Sequence, residues 1–494
     1  MNLGKTLSEQ KRLILSAAVV FVVAGLLSWI GMPKQEDPSL PDRFGSVVVT
    51  FPGATAETVE QLVVVPLERE LQGVAEIRFI SATARADVAI FDIELNETIY
   101  ETDAAWKRVE DAVARAERDL PPEADSPETN WEGLDLQAAT LAITGTGNWL
   151  ELRDAAELLE DRLYRVSGVK RVDTTPDLDT QITVAMSESA LRQMGLSSVD
   201  LADLLTSRTM VIPGGHVEVG GLRVPVDTGS DIRSVAELAA TQVPVSANAS
   251  LPLSALARVS YGREEPLTDL VRLNGQQAVI LGVVPKDNID VVAFGEEVTA
   301  LLPELESVVA PLDLQLMTFQ PDRVEARLGG LRFSLIQGIF IVARVLVFSM
   351  GLRLGLTVSV MIPTVALASL TLYASFGGVL QQMSVAALVM SLGLLVDNAI
   401  VVSERIQWRI DRGESKLEAA NRSVREMAAP LAAATGTTLA AFLPLLLSRG
   451  ATADFTSAIP RLVMLTITVS FIFALTVTPT LGILVFRKNH KEKE

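Results

Sequence analysis

Apolar positions along this chain fall into two regimes. Runs almost free of charge occur at 13–30, 333–350, 355–376, 384–403, 430–447 and 462–486. A bilayer span needs about 20 mainly apolar residues at ~1.5 Å of rise each, so the pattern predicts six transmembrane helices. Between the first two runs, roughly residues 32–332, hydropathy falls and short alternating or amphipathic segments take over.

Within that polar stretch a β-branched segment at 44–51 turns through Pro52-Gly53 into a helix capped near Thr55 and reaching about residue 71. Strands follow at 76–81 and, with period-two alternation, at 87–95. Residues 104–120 read as an amphipathic helix closed by Pro121-Pro122. The order β-α-β-β-α is a split βαβ pattern. It is echoed by a strand at 138–144, a helix at 150–166 and a strand at 170–175. Between 179 and 261 the texture changes to short strands, a helix around 198–207 and a Gly-rich hairpin at 213–221. The second unit then resumes with a strand at 278–285, a helix at 291–302 and a strand at 312–318.

Lysine and arginine gather on cytoplasmic connections, which orients the spans. With the N-terminus inside, the inner segments hold Lys5, Lys11 and Arg12, then Arg353, then six cations from Arg405 to Arg425, then Arg487, Lys488, Lys491 and Lys493. The short outer loops hold only Arg449 and Arg461. Both termini are therefore expected in the cytoplasm and the large polar region outside it. No small-residue cleavage site follows the first run, so it reads as an uncleaved helix.

Composition narrows the chemistry. At 49% hydrophobic residues and a net charge of −18, the chain is a membrane protein and not a nucleic-acid binder. It has no cysteine, which excludes disulfides, thiolate metal sites and cysteine nucleophiles. The two histidines, His216 and His490, make no metal site. Met186, Met194, Met210 and Met317 are scattered packing residues and argue against soft-metal export. No Gly-Lys-Ser/Thr phosphate loop is present, so ATP is not the expected energy source and no cofactor is called for.

One residue breaks the apolar pattern with chemical consequence. The run 384–403 carries a carboxylate in Leu394-Leu395-Val396-Asp397-Asn398-Ala399-Ile400. An ionisable group at the centre of a span costs about 2.5–3.5 kcal/mol on the insertion scale, and such groups mark proton or ion relays. The bland alternative is an Asp held neutral for helix packing. Asn398 either orients Asp397 through a hydrogen bond or joins helices. Arg344 lies inside the second run, nine residues before Arg353, or ~13 Å along a helix axis. It either pairs with Asp397, faces a wet cleft, or is a sequence peculiarity that harms function.

Three motifs resemble the resistance-nodulation-division (RND) efflux transporters of the hydrophobe/amphiphile branch. Phe51-Pro52-Gly53-Ala54-Thr55-Ala56-Glu57-Thr58-Val59-Glu60, continuing to Pro66-Leu67-Glu68, is similar to that family's first porter helix. Gly393 to Val402 with Glu404 is similar to its fourth transmembrane helix. Ala441-Phe442-Leu443-Pro444 and Thr476-Val477-Thr478-Pro479 follow in register.

The resemblance implies six membrane helices and a large extracytoplasmic α+β region of ferredoxin-like porter subdomains with an inserted docking subdomain. The expected division is residues 1–32 for the N-terminus and first helix, and 33–132 for the first porter subdomain. The second porter subdomain takes 133–178 and 266–330, interrupted by docking residues 179–265. Helices two to six take 331–488, and 489–494 is a cytoplasmic tail. It also implies proton-driven antiport of small hydrophobic or amphiphilic substrates across a bacterial inner membrane, with Asp397 titrating and Asn398 supporting. The implied partners are the lipid bilayer, a homotrimer or a second RND half, a periplasmic adaptor and an outer-membrane channel. Family chains are about twice this length, and the resemblance covers their N-terminal half, without the membrane lysine of the second half. The family's acidic pair is often Asp-Asp, whereas Asp397-Asn398 leaves one titrating carboxylate. Two alternatives stand beside export: a truncated, non-transporting remnant, and a translocation assistant of the same superfamily.

Overall fold

The computed structural model describes residues 11–131, 136–145, 148–186, 197–209, 216–219, 222–225, 232, 234–246, 249–263, 265–267 and 269–487. The tail 489–494 with His490, Lys5, Met194, Met210 and hairpin positions 213–215 and 220–221 lie outside the described residues.

The first helix, α1, spans Lys11–Gly31. A polar linker then leads to β1 (Phe44–Thr50). Helix α2 is three joined segments, Ala56–Val59, Glu60–Val64 and Val65–Leu71, the middle one π-helical. Thr55 caps it as expected, its Oγ1 accepting from the Thr58 N–H at 3.3 Å. Strands β2 (Ile77–Arg85) and β3 (Val88–Leu95), helix α3 (Thr102–Ala116) and β4 (Glu128–Asn130) complete the unit. The sheet is antiparallel with order β2-β3-β1-β4. Alternate residues Val47, Val49, Phe91 and Ile93 point to the face covered by Leu67 and Leu71 of α2 and Trp106 of α3. Gly45 is required here, since a Cβ would come within 2.5 Å of the Trp106 ring. Strand β2 runs past the expected 76–81 because its outer half still pairs with β3 through Thr83↔Ile90 and Arg85↔Val88. The three-residue β4 has no pattern of its own, and pairing to β1 is what makes it a strand.

The second sheet interleaves early and late chain. It holds β5 (Ala139–Thr144) and β6 (Val169–Thr175), then β13 (Arg272–Leu273), β14 (Gln276–Pro285) and β15 (Asp313–Phe319). Strand β14 pairs with β5 on one side and with β6 and β13 on the other, while β15 closes on β5. The order β6-β14-β5-β15 repeats that of the first sheet, with α4 (Trp149–Leu163) and α8 (Val291–Val309) supplying the core residues Leu159, Phe294 and Val298. The intervening residues include β7 (Thr180–Ala185) and α5 (Ser198–Thr209). The hairpins β8 (His216–Val219)/β9 (Leu222–Pro225) and β10 (Gln242–Ser246)/β11 (Ala249–Pro252) follow. Helices α6 (Val235–Ala239) and α7 (Leu253–Leu256) and strand β12 (Arg258–Arg263), which pairs with β7, complete it. This part has its own small core around Leu201, Val243 and Leu253.

After β15 the chain is helical: α9 (Gln320–Met350), α10 (Leu352–Ser375), α11 (Gln382–Asp411), α12 (Lys416–Leu447), α13 (Ala451–Thr456) and α14 (Ala458–Val485). With α1, six helical stretches among the described residues are long and apolar enough to cross a membrane, α13 and α14 counting as one. Helix α9 begins well before the apolar run at 333–350, since the charged residues Arg323 to Arg332 are good helix formers that need not enter hydrocarbon. Helices α10, α11 and α14 form the centre of the bundle, and α1, α9 and α12 are mostly uncovered.

Candidate functional site

Asp397 sits near the middle of α11. Gln381 starts that helix, its N–H donating to the Ser384 Oγ at 2.9 Å. One side of α11 is buried through Leu388, Leu392, Leu395, Ala399, Val402 and Ile406. The opposite side is an exposed stripe at helical spacing: Met390, Gly393, Asp397, Val401, Glu404 and Trp408. Successive residues are ~100° apart around a helix. Asn398 therefore leaves the stripe and is buried, at 8% exposure, toward the bundle. The structure does not join Asp397 and Asn398: among the described residues neither side chain makes a hydrogen bond or ion pair.

Around α11, α9 packs on α10, α10 on α14, and α14 on α12. Both α9 and α12 also touch α11, so its exposed stripe opens between those two. Ser470 of α14 donates to the Leu395 carbonyl at 2.8 Å, pinning α14 to α11 less than one turn before Asp397. On α12 the level is set by Glu426, paired with Arg405 of α11 at 2.8 Å. Nine residues toward the sheets from Glu426, or ~13 Å, comes Thr435, level with the Asp397 turn. Thr435 is buried, and its Oγ1 has no partner among the described residues.

Arg344 is not brought onto Asp397. The two are at similar depth, because Gly338 of α9 lies against Leu392, where a Cβ would meet the leucine Cδ1 at 2.7 Å. Arg344 shares the exposed face of α9 with Phe340, Ile341, Val345 and Phe348 and forms no ion pair among the described residues. No group of three or more His, Cys, Asp or Glu among the described residues is placed to hold a metal.

The linker before β1 ties the sheets to the bundle. Lys34 pairs with Asp290 beside α8 at 3.2 Å, and Glu36 with Arg327 of α9 at 2.8 Å. Asp37 accepts from Gln382 of α11. Arg43 pairs with Asp454 of α13 at 2.6 Å and donates from Nε to the Ile99 carbonyl at 2.8 Å. These contacts join α9, α11 and α13 to the linker before β1 and to the start of α8.

The model of the AcrB/AcrD/AcrF family matches residues 5–494. This chain belongs to that family. As an AcrB/AcrD/AcrF-family chain it is 25% identical over 470 residues to the multidrug resistance protein MdtC of Enterobacter sp. (strain 638), covering 94% of this chain and 46% of the relative. Identity to MdtC of Escherichia coli O1:K1 is likewise 25%, over 476 residues. The family chain thus spans less than half the length of these relatives.

Several residues of the site escape sequence reading. Ser470 and Thr435 are hydroxyls inside apolar runs, a visible signal, but their depth and facing are not. Arg43 and Asp454 are 411 positions apart, and nothing local links them.

Proposed function

We propose that this chain is the N-terminal portion of a proton-driven RND exporter, a secondary active transporter of hydrophobic or amphiphilic small molecules. Asp397 carries the reading: a lone carboxyl group mid-span, on a face of α11 that no helix among the described residues covers. A group so placed is free to meet a proton from either side and to be covered by further helices as access alternates. Each proton moving inward contributes about 2.3 kcal/mol per 100 mV of membrane potential. No cofactor takes part, and the proton is the coupling ion.

The two sheets of equal strand order support a pair of ferredoxin-like porter subdomains at 33–132 and at 133–178 with 266–330. Residues 179–265 between them form a docking subdomain, and 1–32 and 331–488 form the membrane part. Residues 33–330 are periplasmic and both termini cytoplasmic in a bacterial inner membrane. The ties at Lys34, Glu36, Asp37 and Arg43 pass helix movement to the porter sheets. Because the MdtC relatives are about twice as long, the working unit includes a second RND half, or further copies of this chain. A trimer, an adaptor and an outer-membrane channel complete it. Arg344 stays outside the relay.

Accumulation of a fluorescent amphiphilic dye in cells stripped of their own pumps tests this, with the chain expressed alone and beside a C-terminal RND half. Export that vanishes with Asp397→Asn supports the reading. Export indifferent to that change, or absent in both settings, rejects it.

A further inference from the structure

A cavity of about 610 Å³ lies where the helical bundle meets the sheets. That size is within the ~300–1,000 Å³ typical of small-molecule sites. It is away from the Asp397 stripe, among the sheet-side ends of α10, α12 and α14 and the linker around Pro38. Leu439 and Leu446 of α12 and Met464 and Leu465 of α14 give it an apolar wall. Its polar edge holds Tyr373, Asp454 and Arg461.

The charges at that edge do not cancel. Asp454 is already matched by the buried Arg43 at 2.6 Å. Arg461 is the one Lys or Arg among the lining residues, and it forms no ion pair among the described residues. The edge thus carries one unmatched positive charge above an apolar wall. Arg461 is a fork of donors that takes a planar or tetrahedral anion well. A cation at the boundary of the hydrocarbon region can also keep its head toward water while its ligand's apolar body stays below.

We infer that this cavity is a binding site for an amphiphile with a single anionic head, its head on Arg461 and its apolar body against Leu439, Leu446, Met464 and Leu465. A carboxylate, sulfate or phosphate head satisfies the same donors, so the occupant comes either from the bilayer, as an anionic lipid, or from solution. The site is read from this chain's own walls and does not depend on export. An equilibrium binding measurement therefore tests it apart from the transport reading.

The probe is 11-(dansylamino)undecanoic acid, compared with its neutral carboxamide, titrated onto the purified full chain in nanodiscs of zwitterionic lipid. The acid is expected to bind at least tenfold more tightly than the amide. Arg461→Gln removes that difference and Arg461→Lys retains most of it. Leu465→Trp, which fills the apolar wall, weakens both probes alike. Displacement of the acid when phosphatidylglycerol is added to the nanodisc assigns the site to a bilayer lipid. Displacement only by soluble dodecyl sulfate assigns it to a dissolved amphiphile. Equal affinity for acid and amide in the unaltered chain, or a preference that survives Arg461→Gln, overturns the assignment.

Discussion

Arg43 and Asp454 form a 2.6 Å ion pair between the first strand's approach and the short helix ahead of α14. The arginine side chain is 5% exposed and the aspartate 16%, and the Tyr100 ring stacks on the guanidinium at 5.1 Å. Removing one partner of a buried pair leaves an uncompensated charge and costs about 3–5 kcal/mol. Arg43→Met or Asp454→Leu alone is expected to lower the thermal unfolding midpoint in detergent sharply. The double replacement should recover most of the loss. Additive losses in the double variant would show that the two charges act independently.

Asp397 makes no hydrogen bond or ion pair within the described chain, so Asp397→Asn should leave yield and unfolding midpoint unchanged while abolishing dye export. A paired measurement of both quantities separates a relay from a packing role. A fall in stability matching the fall in export would favour packing.

Arg344 stands among Phe340, Ile341 and Val345 with no ion-pair partner among the described residues. Arg344→Leu is expected to favour the inserted state by about 3–4 kcal/mol on the insertion scale and to leave export as it was. Lost export in a well-inserted variant would return Arg344 to the proton path.

Ser470 donates across helices to the Leu395 carbonyl and is 2% exposed. Interhelical hydrogen bonds of this kind are worth about 0.6 kcal/mol on average. Ser470→Ala should therefore destabilise the bundle mildly. Ser470→Leu has no room and should destabilise it by about 1–3 kcal/mol or more. Chemical unfolding in mixed micelles ranks the two, and the reverse ranking would contradict the packing described.

Burial, then the charges of Asp161 and Glu157, push the Glu160 carboxyl of α4 above its ordinary value. A raised carboxyl favours the folded state only while protonated, so its contribution is present at low pH and is lost as pH rises through the carboxylate range. Glu160→Gln should match the parent at pH 4 and become the more stable protein toward pH 7. A gap that opens instead on acidification would reverse the sign of the linkage.

The membrane-length helices, the first sheet's β-α-β-β-α order and the place of Asp397 near the middle of such a helix were all readable from local pattern. Apolar length, period-two alternation and one carboxylate in a charge-free run are short-range signals. Helix starts were less legible, as α9 shows, because polar helix formers extend a helix without extending its apolar run. A three-residue strand such as β4 exists only through its partner β1.

Which way Asp397 faces was a different matter. In hydrocarbon a helix is apolar all round, so periodicity does not mark an inner side. Only packing decided that Asp397 lies on the open stripe while Asn398, its neighbour in sequence, is buried. Packing likewise left Arg344 without an ion pair among the described residues, set Ser470 on the Leu395 carbonyl and brought Arg43 to Asp454 across 411 residues. Local pattern sets what each segment can become, and the meeting of distant segments sets what each side chain can touch.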